Sequence, residues 1–199
     1  MLRWGQVVVA YLAAGVCATT FVFLWRGTSP LYYSAPWLSL SATVSHVYST
    51  LIGLAFGGLV VISTRGFVTH FAWARNLHRE LRPVARALSG TGIAAVAISS
   101  ALGEELLFRG LLQPWLGLWL QALAFGILHS QLRGPSKWAW VVWATVMGLA
   151  FGAIYALSGS LLGPIAAHAL INWLNLSYLK AHDPEPPRRA LGGLLGQRS

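Results

Sequence analysis

The chain has 199 residues, of which 56% are hydrophobic and only 10% charged, with a net charge of +9. A soluble domain of this length needs far more charge on its surface, so the water-soluble globular classes are excluded. A nucleic-acid-binding role for the basic residues is set aside with them, because in a membrane protein basic residues mark the cytoplasmic loops.

Six apolar runs follow one another along the chain. A bilayer core of about 30 Å is crossed by about 20 apolar residues in a helix. The runs are Gln6 to Trp25, Trp37 to Ser63, Thr91 to Gln113, Trp115 to His129, Trp138 to Leu157 and Leu161 to Leu179. Helix is preferred to strand because a spanning segment has to satisfy its own backbone hydrogen bonds. Glycine pairs such as Gly53/Gly57 and Gly148/Gly152 suit close helix packing. The expected fold class is therefore all-α: a polytopic transmembrane helix bundle with about six spans. Arg3 followed by an apolar stretch resembles a secretory signal, but no small-x-small cleavage site follows, so the first run is expected to be retained.

Between the second and third runs, Arg75, Arg79 and Arg82 share one helical face, with Trp73, Leu77 and Leu81 opposite. This pattern predicts an amphipathic interfacial helix on an anionic leaflet. Pro83 is expected to break it and to start the next helix. One transmembrane domain is expected over residues 1–182, with a disordered cytoplasmic tail over 183–199, rich in Pro, Gly and Arg. The basic residues form three groups: Arg65 to Arg86, then Arg133 and Lys137, then Lys180, Arg188, Arg189 and Arg198. With six spans these groups fall on one side together with Arg3. Both termini are then cytoplasmic, in a cell (inner or plasma) membrane.

The chain has five acidic residues, and two of them, Glu104 and Glu105, are adjacent inside an apolar run. Each charge at the bilayer centre costs about 2.5–3.5 kcal/mol on insertion scales, so ionisable residues there are functional candidates by default. Glu105 and Arg109 are four apart and can pair on one face. Glu104 points about 100° away and can face a cavity. His46, His70, His78 and His182 lie in loops, near helix ends or on weak faces and are treated as background. His129 closes an apolar run with Phe125 one turn earlier, and His168 sits early in the last run with Asn172 one turn later.

Gln113, Pro114 and Gly117 suggest a turn between the third and fourth runs. Glu104 and His129 lie about 15 Å from it on either side, and so at similar depth. Ser158, Gly159 and Gly163 suggest a second turn on the same side, which brings His168 near that depth. Two chemistries are open. A carboxylate and a histidine can activate a water, with a second histidine and an asparagine donating to the oxyanion. Alternatively, Glu104, His129 and His168 can ligate a divalent metal such as Zn2+. There is no His-Glu-x-x-His helix.

Three motifs carry a resemblance: Glu-Glu-x-x-x-Arg (Glu104, Glu105, Arg109), Phe-x-x-x-His (Phe125, His129) and His-x-x-x-Asn (His168, Asn172). In this order they resemble the CPBP intramembrane proteases, which include type II CAAX prenyl endopeptidases and bacteriocin-processing or immunity proteins of the Abi type. The resemblance covers Gly92 to Leu179. It implies an intramembrane endopeptidase acting on a membrane-associated protein or peptide substrate. Glu104 would be the water-activating carboxylate and His129 its partner. His168 and Asn172 would stabilise the oxyanion or help bind a metal, and Glu105, Arg109 and Phe125 would support the site. The other function classes are a non-enzymatic immunity or scaffold protein and, behind it, a transporter.

Overall fold

A computed structural model describes residues 4–132 and 134–184. Arg3, Arg133 and the tail beyond Pro184, with Arg188, Arg189 and Arg198, lie outside the described residues. The described chain is all-α, as expected, with no strand among the described residues. The helices are α1 (Trp4–Arg26), α2 (Ala42–His70), α3 (Ala72–Arg86), α4 (Gly90–Glu105), α5 (Gln113–Leu128), α6 (Lys137–Ser158) and α7 (Leu162–Ala181). A π-helical segment, Leu106–Leu112, joins α4 to α5.

Four segments are long and apolar enough to cross a membrane: Trp4–Arg26, Ala42–His70, Gly90–Leu128 and Lys137–Ser158. The third is 39 residues long because it contains two limbs. The chain reverses at Gly117, whose φ of 73° and ψ of 175° lie outside the helical region. A φ of that sign strains residues with a Cβ, so glycine suits the position. Proof of the reversal comes from across it: the Phe108 and Phe125 rings meet edge to face with centroids 4.9 Å apart, where a straight helix would hold them about 25 Å apart. The turn expected around Gln113 to Gly117 therefore closes at its last residue. α7 has the length of a span, but His168, Asn172, Asn175 and Lys180 lower its apolarity. Large apolar side chains such as Val16, Phe23, Ile62, Trp119 and Val142 face outward. That is the surface a lipid environment accepts and water does not.

Small residues set the helix spacing. A Cβ on Gly53 would run into the Gly163 carbonyl, and one on Gly57 would stand 3.2 Å from the Ala167 carbonyl oxygen, so α2 and α7 touch backbone to backbone. Gly148 of α6 packs equally closely on Ala122 of α5. Larger side chains fill what remains. Val60, Met147, Phe151, Ala167 and Ile171 form one core cluster, and Phe108, Phe125 and Ala144 form another.

Three expectations need correction. The second run does not become helical at Trp37. Residues 33–38 instead bond the end of α6, with Trp37 N–H donating to the Ala156 carbonyl (2.8 Å) and Tyr33 N–H to that of Gly159 (3.0 Å). α2 starts at Ala42 and extends to His70. Pro83 does not break the amphipathic helix. It lies inside α3, in its last turns, and the next helix is started by Ser89, whose Oγ accepts from the Gly92 N–H at 2.9 Å. A serine cap satisfies an N-terminal donor, which Pro83 does not do for α4. Finally, α3 packs on protein as well as facing outward: Ala74, Leu77, His78 and Ala85 are buried, against α7 and α2.

Candidate active site

Glu104 and Glu105 end α4, and the one-residue offset turns their side chains in different directions. Glu105 and Arg109 are completely buried. Arg109 donates to Glu105 Oε1 at 3.0 Å and to the Gly148 carbonyl of α6 at 3.3 Å. Its guanidinium also lies 4.4 Å from the centroid of the Phe125 ring. The π-helical segment carries Arg109 in this packing, and such segments occur often at functional sites.

The same Glu105 oxygen lies 2.7 Å from His168 Nδ1. A carboxylate bonded to a guanidinium accepts here, so His168 Nδ1 donates and its Nε2 is the free ring nitrogen. His168 stacks on Phe151 at 5.2 Å between centroids, which fixes the ring plane. Glu105 therefore meets Arg109, as expected, and also orients His168, which the motif spacing did not indicate.

His129 caps α5, outside its last regular turn. Its Nδ1 is 2.7 Å from the Phe125 carbonyl oxygen. A carbonyl only accepts, so Nδ1 carries the proton and Nε2 is again the free nitrogen. Both free nitrogens face one atom. Glu104 Oε2 is 3.9 Å from His129 Nε2 and 3.8 Å from His168 Nε2. That oxygen is buried and has no hydrogen-bond partner. The separations exceed direct hydrogen bonds but suit a molecule held between the groups. Asn172, one turn along α7 from His168, donates to Ser100 Oγ at 3.0 Å and lines the same space.

The structure thus brings Glu104, His129, His168 and Asn172 to one cavity of about 460 Å³, with Phe125 on its wall and Glu105 and Arg109 packed behind it. The Glu104–His129 separation of 3.9 Å lies just under the roughly 4–6 Å spanned by two groups that share one water through hydrogen bonds of about 3 Å. Two ligands of a tetrahedral ion with bonds of about 2.1 Å stand about 3.4 Å apart. The 3.8 and 3.9 Å separations are wider than that. Among the described residues no three carboxylate, imidazole or thiol groups close around a point as an ion's ligands. Each of the three side chains offers a donor atom of the kind a divalent ion takes, at separations about 0.4 Å wider than such a ligand set.

Sequence reasoning missed several participants. Tyr11 of α1 lines the cavity beside Glu104. A phenol in the middle of an apolar helix needs a polar partner, and this was the available signal. Gln113 and Gln121 are buried and donate to the α6 carbonyls of Gly152 (3.0 Å) and Gly148 (3.2 Å). Gln113 had been read only as part of a turn. His78 of α3, treated as background in the sequence, lines the cavity, and its Nε2 donates to the His182 carbonyl at 3.0 Å. Burial holds the His78 imidazole below the usual histidine range, against the opposing effect of that hydrogen bond.

Comparison with known proteins agrees with the motif resemblance. Residues 87–174 match the family described as Type II CAAX prenyl endopeptidase Rce1-like. The chain is 40% identical over 72 residues to the uncharacterized protein YpbD of Bacillus subtilis (strain 168). That alignment covers 36% of this chain and 37% of the relative, so the chain spans little more than a third of the relative's length. No solved structure matches the chain.

Proposed function

We propose that this integral membrane protein, whose residues 87–174 match the Rce1-like family model, is an intramembrane endopeptidase. It would hydrolyse a peptide bond near the C-terminus or the membrane segment of a membrane-associated protein or peptide. One observation carries the reading: Glu104 Oε2, buried and unpartnered, faces two imidazole Nε2 atoms at 3.8 and 3.9 Å on a cavity wall. An isolated carboxylate in such a place is costly, and a bound water offsets that cost.

In this reading Glu104, helped by His129, takes a proton from a water between them, and the water oxygen attacks the peptide carbonyl. The carbon–nitrogen bond breaks as Glu104 returns the proton to the leaving nitrogen. The oxyanion is stabilised by His168 and by the second N–H of Asn172. Glu105 Oε1 supports the Nδ1–H of His168 at 2.7 Å, which keeps Nε2 turned to the cavity, where it would donate to the oxyanion in its protonated form.

We also propose that both termini and α3 lie on the cytoplasmic side, which reporter fusions at Gly27, Arg75 and Lys137 would test. A periplasmic signal at Arg75 would overturn that assignment. Glu104→Gln tests the activity. It keeps size and hydrogen bonding but removes the base, and it should abolish cleavage while leaving the fold intact. Full activity in Glu104→Gln would sink the reading. A cellular role that persists without cleavage would favour an immunity or scaffold protein.

A further inference from the structure

The residues assigned so far come from α4 to α7, yet one wall of the cavity belongs to α1. Three observations bring Tyr11 to Glu104. Gly103, the residue before Glu104, lies against the Tyr11 main chain so closely that a Cβ there would meet the Tyr11 carbonyl carbon and Cα at 2.9 and 3.1 Å. One turn further along α1, Gly15 packs in the same way against the Gly103 Cα (3.3 Å). This close crossing of α1 and α4 brings the phenol to the carboxylate: Tyr11 and Glu104 line the same cavity, near enough for their side chains to interact. Glu104 Oε2, meanwhile, has no partner and faces the two imidazoles.

We propose that Tyr11 is a positioning residue for Glu104: its hydroxyl donates to the carboxylate from α1 and holds it so that Oε2 faces His129 and His168. A carboxylate on a Glu side chain has three rotatable bonds, and neither histidine fixes it, since both stand beyond direct hydrogen-bonding distance. A neutral phenol supplies that restraint without adding a charge. The N-terminal helix thereby becomes part of the catalytic apparatus rather than an anchor, although it lies outside the residues that match the family. The kinetic consequence rests on the proteolytic reading. The contact itself does not.

The experiment uses the full chain in nanodiscs and has two arms. The first is infrared difference spectroscopy of the protein against its Glu104→Gln variant, which isolates the Glu104 carboxylate band. In a Tyr11→Phe background this band should move, whereas Tyr48→Phe on α2 should leave it in place, with thermal unfolding confirming that both variants fold. An unmoved band in Tyr11→Phe overturns the proposal. The second arm follows cleavage of an internally quenched apolar peptide in the same nanodiscs. Tyr11→Phe should lower kcat about tenfold, the equivalent of one hydrogen bond, with KM changed less than twofold. An unchanged kcat, or a rise in KM alone, also overturns it. If the wild type cleaves nothing, or Glu104→Gln cleaves fully, the proteolytic reading fails, and the infrared arm still decides the role of Tyr11.

Discussion

Glu105 Oε1 accepts from two side chains at once, Arg109 at 3.0 Å and His168 at 2.7 Å. One atom thus neutralises a fully buried guanidinium and orients an imidazole at the cavity. Removing one partner of a buried ion pair typically costs about 3–5 kcal/mol, because the other charge is left uncompensated. Glu105→Gln should therefore destabilise the protein by about that amount, measured by thermal unfolding in detergent. Glu104→Gln should cost about 1 kcal/mol or less, since its carboxylate has no cationic partner of this kind. Equal destabilisation by the two variants would contradict this division of labour.

A second prediction concerns metals. The present separations around Glu104 Oε2 are wider than a tetrahedral ligand set requires. Cleavage should survive dialysis against a strong zinc chelator, and elemental analysis of active protein should find well under one ion per chain. Loss of activity on chelation, with recovery on adding Zn2+, would show that Glu104, His129 and His168 draw together around an ion.

Close packing of α2 on α7 gives a third. A Cβ on Gly163 would collide with the Ser49 carbonyl, and one on Gly53 with the Gly163 carbonyl. Both obstacles are backbone and have little freedom to move. Gly163→Ala and Gly53→Ala should each cost about 2 kcal/mol or more, whereas Gly58→Ala, with open space beside it, should be neutral or slightly stabilising. Unfolding midpoints of the three variants would test the ranking.

The fourth follows from His78. Burial lowers its folded-state pKa, and the groups around it are His182, Arg82 and Asp183. A histidine with a depressed folded pKa binds more protons when released. Its contribution to stability is therefore fully present above the unfolded value of about 6.5 and is lost as pH falls toward the folded value. Docking of α3 onto α7 should loosen in mildly acidic solution. Hydrogen exchange of α3 amides should rise below about pH 6.5, and His78→Phe, which does not titrate, should flatten that dependence. Exchange that is independent of pH in the wild type would refute the assignment.

Glu104, His129 and His168 were legible in the sequence because insertion cost makes ionisable groups conspicuous in apolar runs. Their common depth was legible because Gly117 marks the reversal, with 13 residues back to Glu104 and 12 on to His129. The link from Glu105 to His168 was not, since motif spacing describes one helix at a time and this contact joins α4 to α7. Tyr11 was missed for a similar reason: a single phenol in an apolar run has no periodicity, and only the α1–α4 crossing at Gly103 gives it a neighbour. The amphipathic pattern of α3 identified its apolar face. It did not say whether lipid or protein covers that face, because the two are equally apolar, and Leu77 and His78 turned out to be buried against protein.

The π-helical segment lies between the two carboxylates and the reversal at Gly117. Each of its hydrogen bonds spans one residue more than in an α-helix, so it stores an extra residue within an otherwise regular limb. Were the same seven residues, Leu106–Leu112, to wind as an ordinary α-helix, everything before them would rotate by roughly 100° relative to the turn. Glu104 would then leave the cavity although no residue of the three motifs had changed. The winding of this segment is thus under the same constraint as the identity of the reacting groups, and an extra residue inserted there should remove function although the three motifs stay intact.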